Sequence, residues 1–139
     1  MPIYKARPLT KNTIKRVAFF IRKQLGIEKG KPFPVIRYIE TCLSGLIKND
    51  YTFLIVDDKE LKENYAETDV KNKIMRIRES IYDRACLGDE IALKILKHEL
   101  GHYFLHDSVE AIFPKNELEV KLKRTEDPEW QADVFADYI

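Results

Sequence analysis

Two histidines four residues apart, His98 and His102, constrain this chain more than any other feature. On a helix that spacing puts both imidazoles on one face, where they can share a metal ion. The flanking residues agree with a helix over about 89–106. Asp89 is a good N-cap, and Ile91, Ala92, Ile95 and Leu96 form an apolar stripe running into His98-Glu99-Leu100-Gly101-His102. Glu99 follows the first histidine, placed to reach a water at the metal without being a ligand itself. The spacing suits hydrolysis: two neutral nitrogen donors hold Zn²⁺, and a carboxylate takes the proton of the polarised water. The bland alternative is a pair of surface histidines with a solvated Glu between them.

Zinc hydrolases take a third protein ligand and leave the fourth position to water. His106 extends the i, i+4 series, but a straight helix sets it ~12 Å along the axis from His98, beyond the span of one ion. It reads instead as a helix C-terminal residue, where an imidazolium suits the macrodipole. Glu129 is the better ligand. It opens a last helix, about 128–139, in Glu129-Trp130-Gln131-Ala132-Asp133, with Asp133 one turn further on the same face. One carboxylate then serves the metal, and the second, Asp133, takes a histidine N–H and fixes the tautomer of a ligating ring. Ala132 is small and lets this helix lie close to the metal helix. Glu126 and Asp127 are neighbouring alternatives to Glu129, and an acid near a helix N-terminus is favourable without any metal. Tyr82, Tyr65 and Arg78 are candidates for stabilising an oxyanion, and the sequence does not choose between them. The expected cofactor is one Zn²⁺ ion, with other divalent metals as alternatives that geometry and availability decide.

The rest of the chain reads as α+β, with helices packed on a small, mostly antiparallel sheet and the chemistry on two late helices. Ile14, Val17, Ala18, Ile21 and Leu25 fall at helical spacing behind Thr10 or Thr13 as N-cap, with Gly26 as the stop. Val35, Ile36, Ile39, Leu43 and Leu46 suggest a second helix opened by Pro34. Residues 51–56 are β-branched and aromatic and read as a strand, and 73–77 as a weaker one able to align a substrate by edge pairing. Residues 63–68 form a short third strand or a loop, and 81–86 a helical turn ending at Gly88. Residues 107–126 look irregular, and Asp127-Pro128 places an N-cap and an N1 proline before the final helix.

Length and composition bound the alternatives. A chain of 139 residues with 45% hydrophobic content suits one domain over 1–139 with a real core. Its apolar runs fall far short of the ~20 residues a membrane span needs, and its first residues lack the apolar region of a secretory signal. Two cysteines, Cys42 and Cys86, make no disulfide framework and read as reduced thiols of a cytoplasmic protein. The net charge of +1 hides an asymmetry: +8 over residues 1–32 and −7 over the remainder. A solvated basic helix face explains this better than nucleic-acid binding, because no aromatic-plus-basic pattern accompanies it.

The segment His98-Glu-Leu-Gly-His-Tyr-Phe-Leu-His106, preceded by Ile77-Arg-Glu-Ser-Ile-Tyr82 and followed by Glu129-Trp-Gln-Ala-Asp-Val-Phe-Ala136, resembles the ImmA/IrrE family of metallopeptidases. The resemblance is clearest over residues 63–139. It implies a zincin-like fold of the gluzincin type with His98, His102 and Glu129 as metal ligands and Glu99 as the catalytic glutamate. It also implies cleavage of helix-turn-helix transcriptional repressors, often in mobile elements or stress responses. Family members run on past the Phe-Ala pair through a longer apolar helix, whereas this sequence reads Asp137-Tyr138-Ile139. The expectation is therefore a cytoplasmic zinc metallo-endopeptidase acting on a repressor. The alternative is a metal-stabilised module that sequesters a repressor or antitoxin without cutting it.

Overall fold

The computed structural model describes residues 3–43, 51–106, 109–112 and 122–139. Strand β4 (Ile74–Arg78) organises its main sheet. Its alternation sends Met75 and Ile77 into full burial, while Ile74, Arg76 and Arg78 occupy the opposite, half-buried face. β2 (Thr52–Val56) pairs with β4 in parallel, Thr52 opposite Ile74 and Val56 opposite Arg78. β3 (Ala66–Asp69) pairs with β4 antiparallel on its other edge. The order β2-β4-β3 therefore makes a mixed sheet, where a mostly antiparallel one was expected. The parallel pair follows from the chain reaching β4 only after running out through β3. The Asp69 side chain holds the β3–β4 turn, accepting the Asn72 backbone N–H at 3.0 Å.

A second, two-stranded sheet joins β1 (Ile3–Lys5) to β5 (Glu110–Ile112), antiparallel, with Ile3 opposite Ile112. Neither strand was legible in the sequence. Three residues carry no periodicity, and what fixes them is pairing across more than a hundred residues. Of the stretch 107–126, expected to be irregular, residues 107–108 and 113–121 lie outside the described residues, and Arg124–Glu126 forms a 3-10 turn.

Helix α1 (Lys11–Gln24) buries Ile14 and Ala18, and its N-cap Thr10 accepts the Thr13 backbone N–H. Its Lys11, Lys15, Arg16 and Lys23 are exposed, whereas Arg22 turns inward. Arg22 donates to the carbonyls of Ile139 at 2.5 Å and Glu28 at 2.9 Å, and to that of Lys31. This ties the helix to the chain end and to the turn that follows it. Helix α2 (Val35–Tyr38) is shorter than its apolar spacing suggested and passes into a π-helical turn, Ile39–Leu43. The part of that expected helix around Leu46 lies outside the described residues. α3 (Glu79–Cys86) ends at Gly88, whose φ of +87° is cheap only without a Cβ. Asp89 then caps α4 (Glu90–Leu105) by accepting from the N–H groups of Ile91 and Ala92. α5 (Pro128–Tyr138) starts as the sequence indicated, with Asp127 as cap and Pro128 in the first turn.

α4 and α5 run in opposite directions against each other. Lys94 meets Asp137 at 3.1 Å near one end, and His102 meets Glu129 near the other. Between these points the backbones nearly touch. A Cβ placed on Gly101 would lie 2.9 Å from Ala132 Cα and 3.1 Å from its carbonyl oxygen. The pair Gly101/Ala132 thus sets the spacing of the two helices, with Leu96, Leu100 and Phe135 fully buried around it. Gly101→Ala gains up to ~1 kcal/mol of helix propensity, but overpacking against rigid backbone costs about 1–3 kcal/mol. The expected net is a loss, read as a fall of roughly 3–8 °C in Tm for a chain of this size. A thermal melt of the metal-free variant checks it, and an unchanged or higher Tm contradicts this packing.

Candidate metal centre

His98 and His102 project from one face of α4, and α5 answers with Glu129 and Asp133. His98 Nε2 lies 2.9 Å from Glu129 Oε2, His102 Nε2 lies 3.3 Å from Glu129 Oε1, and the two Nε2 atoms are 3.2 Å apart. Tetrahedral ligands at Zn–N and Zn–O distances of ~2.0–2.1 Å stand about 3.3 Å from one another. The three side chains therefore fit a small divalent ion with no rearrangement of backbone. Among the described residues His98, His102 and Glu129 are the one such group of histidine, cysteine and acid side chains that could hold a metal.

The other sequence candidates are accounted for. Asp133 Oδ1 accepts from His98 Nδ1–H at 2.6 Å, which leaves Nε2 for a metal, the outer-sphere role expected of it. Glu126 pairs with Lys5 at 3.0 Å, and Asp127 accepts the Glu129 backbone N–H at 2.9 Å, so neither competes with Glu129. His106 stays out of the metal group, but the reading of it as a helix-end imidazolium is wrong. It is 3% exposed, and burial lowers its pKa further from the charged state. The helix bends away at His106, an extended C-cap, and turns its ring inward onto α5, where Gln131 Oε1 is 2.7 Å from Nε2.

Glu99 is the buried acid of the site, 6% exposed. Its Oε1 accepts the Thr68 hydroxyl of β3 at 2.8 Å. Burial raises its pKa, and the opposing influence of His102, His98 and the Thr68 hydrogen bond does not cancel this. Burial alone would lower the pKa of His98, but hydrogen bonding to Glu129, the charges of Glu99 and Glu129, and Asp133 outweigh it and hold the ring up to about 9. The His102 and His98 rings in turn hold Glu129 well below the usual carboxylate range.

These groups sit in an open groove of about 1460 Å³, lined on one side by β3 and the residues before it and on the other by α4 and the start of α5. Among the described residues β3 is an edge strand, whereas the strand expected over 73–77 to pair with a substrate is β4, with both edges occupied. Of the three candidates for oxyanion stabilisation, Tyr65 lines the groove. Tyr82 donates instead to Glu40, and Arg78 to the Leu61 carbonyl at 2.5 Å. Tyr4 of β1 also lines the groove. It was missed, as were Thr68 and Gln131, because each reaches the site through a tertiary contact that no local spacing announces. No protein-family model, curated protein or solved structure matches the chain.

Two outcomes follow from this geometry. Glu129→Ala should lose most metal affinity, and Asp133→Asn should lose about 10–100-fold, as removal of an outer-sphere partner typically does. Competition with a chromophoric chelator measures both, and a fully loaded Glu129→Ala protein would remove it from the ligand set. The second outcome is a pH dependence. The His98 pKa rises from 6.5 to about 9 in the metal-free fold, so protonation stabilises that fold fully below 6.5, and the stabilisation is lost as pH rises through about 9. A metal needs the neutral ring, so its affinity moves the opposite way, rising about tenfold per pH unit up to that pKa. Chelator competition at several pH values, beside melts of the metal-free protein, reads both trends. Affinity that is flat between pH 6.5 and 8.5 contradicts them.

Proposed function

We propose that this chain is a zinc metallo-endopeptidase with a zincin-like fold, acting on a regulatory protein of the helix-turn-helix repressor type in the cytoplasm. The observation that carries the reading is the position of Glu99. It is a buried, pKa-raised carboxylate next to the His98–His102–Glu129 triangle, held by Thr68 at 2.8 Å and open to a groove. Two nitrogens and one carboxylate are a donor set that catalytic Zn²⁺ takes, and other divalent ions share it. When bound, such an ion supplies Lewis-acid polarisation of water and of a peptide carbonyl.

The chain's own residues do the rest. Glu99 takes a proton from the attacking water, and its raised pKa makes it a stronger base than a surface glutamate. The same carboxyl then delivers that proton to the departing amine. Thr68 holds the Glu99 side chain in one rotamer through both transfers. The edge of β3, unpaired among the described residues, offers backbone N–H and C=O groups to an extended peptide, a pairing independent of side chains. Of the sequence candidates, Tyr65 lines the groove and is the one this reading assigns as donor to the developing oxyanion. The repressor class rests on the likeness of the His98–His106 and Glu129–Ala136 segments to ImmA/IrrE peptidases.

Glu99→Gln separates chemistry from docking. Glutamine keeps the shape and the Thr68 contact but accepts no proton at neutral pH, so cleavage should slow by about 10²–10⁴. Metal content and capture of the substrate should be unchanged. A cleavage time course on helix-turn-helix repressors, run beside metal analysis and a pull-down, makes the test. If wild type and variant capture a repressor equally and neither cuts it, the sequestering module replaces the peptidase.

A further inference from the structure

Gln131 is fully buried in the core, and all its hydrogen-bonding directions are assigned by its surroundings. Its Nε2 donates to two backbone carbonyls, Arg7 at 2.8 Å and Thr125 at 2.7 Å. Those carbonyls have no hydrogen to give, so the amide cannot be flipped without setting three oxygens against one another. Its Oε1 is therefore the end that faces His106 Nε2, at 2.7 Å. An oxygen acceptor there requires His106 to carry its proton on Nε2. In the neutral ring Nδ1 is then a bare lone pair, 3.1 Å from His102 Nδ1. Where His102 carries a single ring proton, that proton sits on Nδ1, which leaves Nε2 bare; the Glu129 carboxylate, 3.3 Å from Nε2, is the acceptor that competes for the proton when no metal is bound. That Nε2 is the atom that joins His98 Nε2 and Glu129 in the triangle.

We infer that Gln131 and His106 form a neutral relay that sets the tautomer of His102 and presents its Nε2 lone pair to the metal. The relay rests on the metal-site reading and not on the peptidase reading. Its direction is imposed from outside the site, by the Arg7 carbonyl beyond β1 and the Thr125 carbonyl in the 3-10 turn before α5. The two ligating histidines are thus oriented by different means. His98 donates to the carboxylate of Asp133, and His102 to a neutral ring backed by a neutral amide. Gln131 and His106 are positioning residues, since neither belongs to the metal group.

The relay has a signature in the metal-free wild-type chain. Long-range ¹H–¹⁵N correlation of the ring nitrogens, at a pH where both rings are neutral, should show His102 protonated at Nδ1 and His106 at Nε2. The opposite tautomer at either ring overturns the relay even if the protein binds zinc as expected. The companion variant is His106→Phe, which keeps ring volume and removes the acceptor. With a metal-free melt showing it folded, it should bind Zn²⁺ about 10–100-fold more weakly in chelator competition. Its His102 nitrogens should shift toward a mixture of tautomers while those of His98 stay as in wild type. Full Zn²⁺ affinity with unchanged His102 nitrogens overturns the relay. If wild-type protein shows the tautomers but no affinity for Zn²⁺, the metal reading fails and the hydrogen-bond relay stands.

Discussion

The approach of α4 to α5 at Gly101 and Ala132 is the constraint on which the site depends. Ligands from two helices can meet at one ion only if the axes are close and the rotation of each helix is fixed. A Cβ on Gly101 would fall 2.9 Å from backbone, so the helices stand about as near as two polypeptide chains can. Side chains on either side of that contact are then brought together in register: His98 with Glu129 and Asp133, and His106 with Gln131. The glycine inside the histidine motif is thus a packing residue as well as part of a pattern. Its helix-propensity cost of ~1 kcal/mol is offset by the burial of Leu96, Leu100 and Phe135 that the contact permits.

Reach explains what could and could not be read from the sequence. The pairing of His98 with His102, the place of Glu99 between them, the step from Glu129 to Asp133 and both helix caps follow from local rules, because i, i+4 spacing and capping act within one or two turns. The choice of Glu129 over Glu126 and Asp127 for the candidate metal group did not. α4 and α5 were legible for that reason, down to Asp89 and Asp127. Strands β1 and β5 were not, since each has three residues and gains its hydrogen bonds from a partner far along the chain. Thr68 is one polar residue in a strand with no clear period. Nothing in the sequence ties it to Glu99, yet it is the group that holds that carboxylate.

His106 shows how a correct distance argument can lead to a wrong environment. A straight helix does carry it too far from His98 to share an ion, and it is not a ligand. The assumption that failed was solvent exposure at a helix end. α4 ends on an extended C-cap, and the first residues of the chain close over this end: the Leu9 N–H bonds to the Thr125 carbonyl at 2.9 Å, and the Arg7 carbonyl takes the Gln131 amide. A charged imidazole is costly in such a place, which is why the ring stays neutral and joins a hydrogen-bond chain.

Unequal anchoring of the two histidines has an electrostatic consequence. A carboxylate behind a ligating imidazole raises the basicity of the ring and makes it a stronger donor. Carboxylates behind both rings, with Glu129 as ligand and Glu99 nearby, would place four negative charges around one divalent ion. That much compensation weakens the pull of an ion on a bound oxygen. Here the second anchor is neutral, so Asp133, Glu129 and Glu99 are the only acids in contact with this cluster among the described residues. Burial sets the division. Asp133 lies on the groove side, where water screens a charge. The pocket behind His102 is closed, and the uncharged pair of His106 and Gln131 is the solution that leaves no unpaired ion inside the protein.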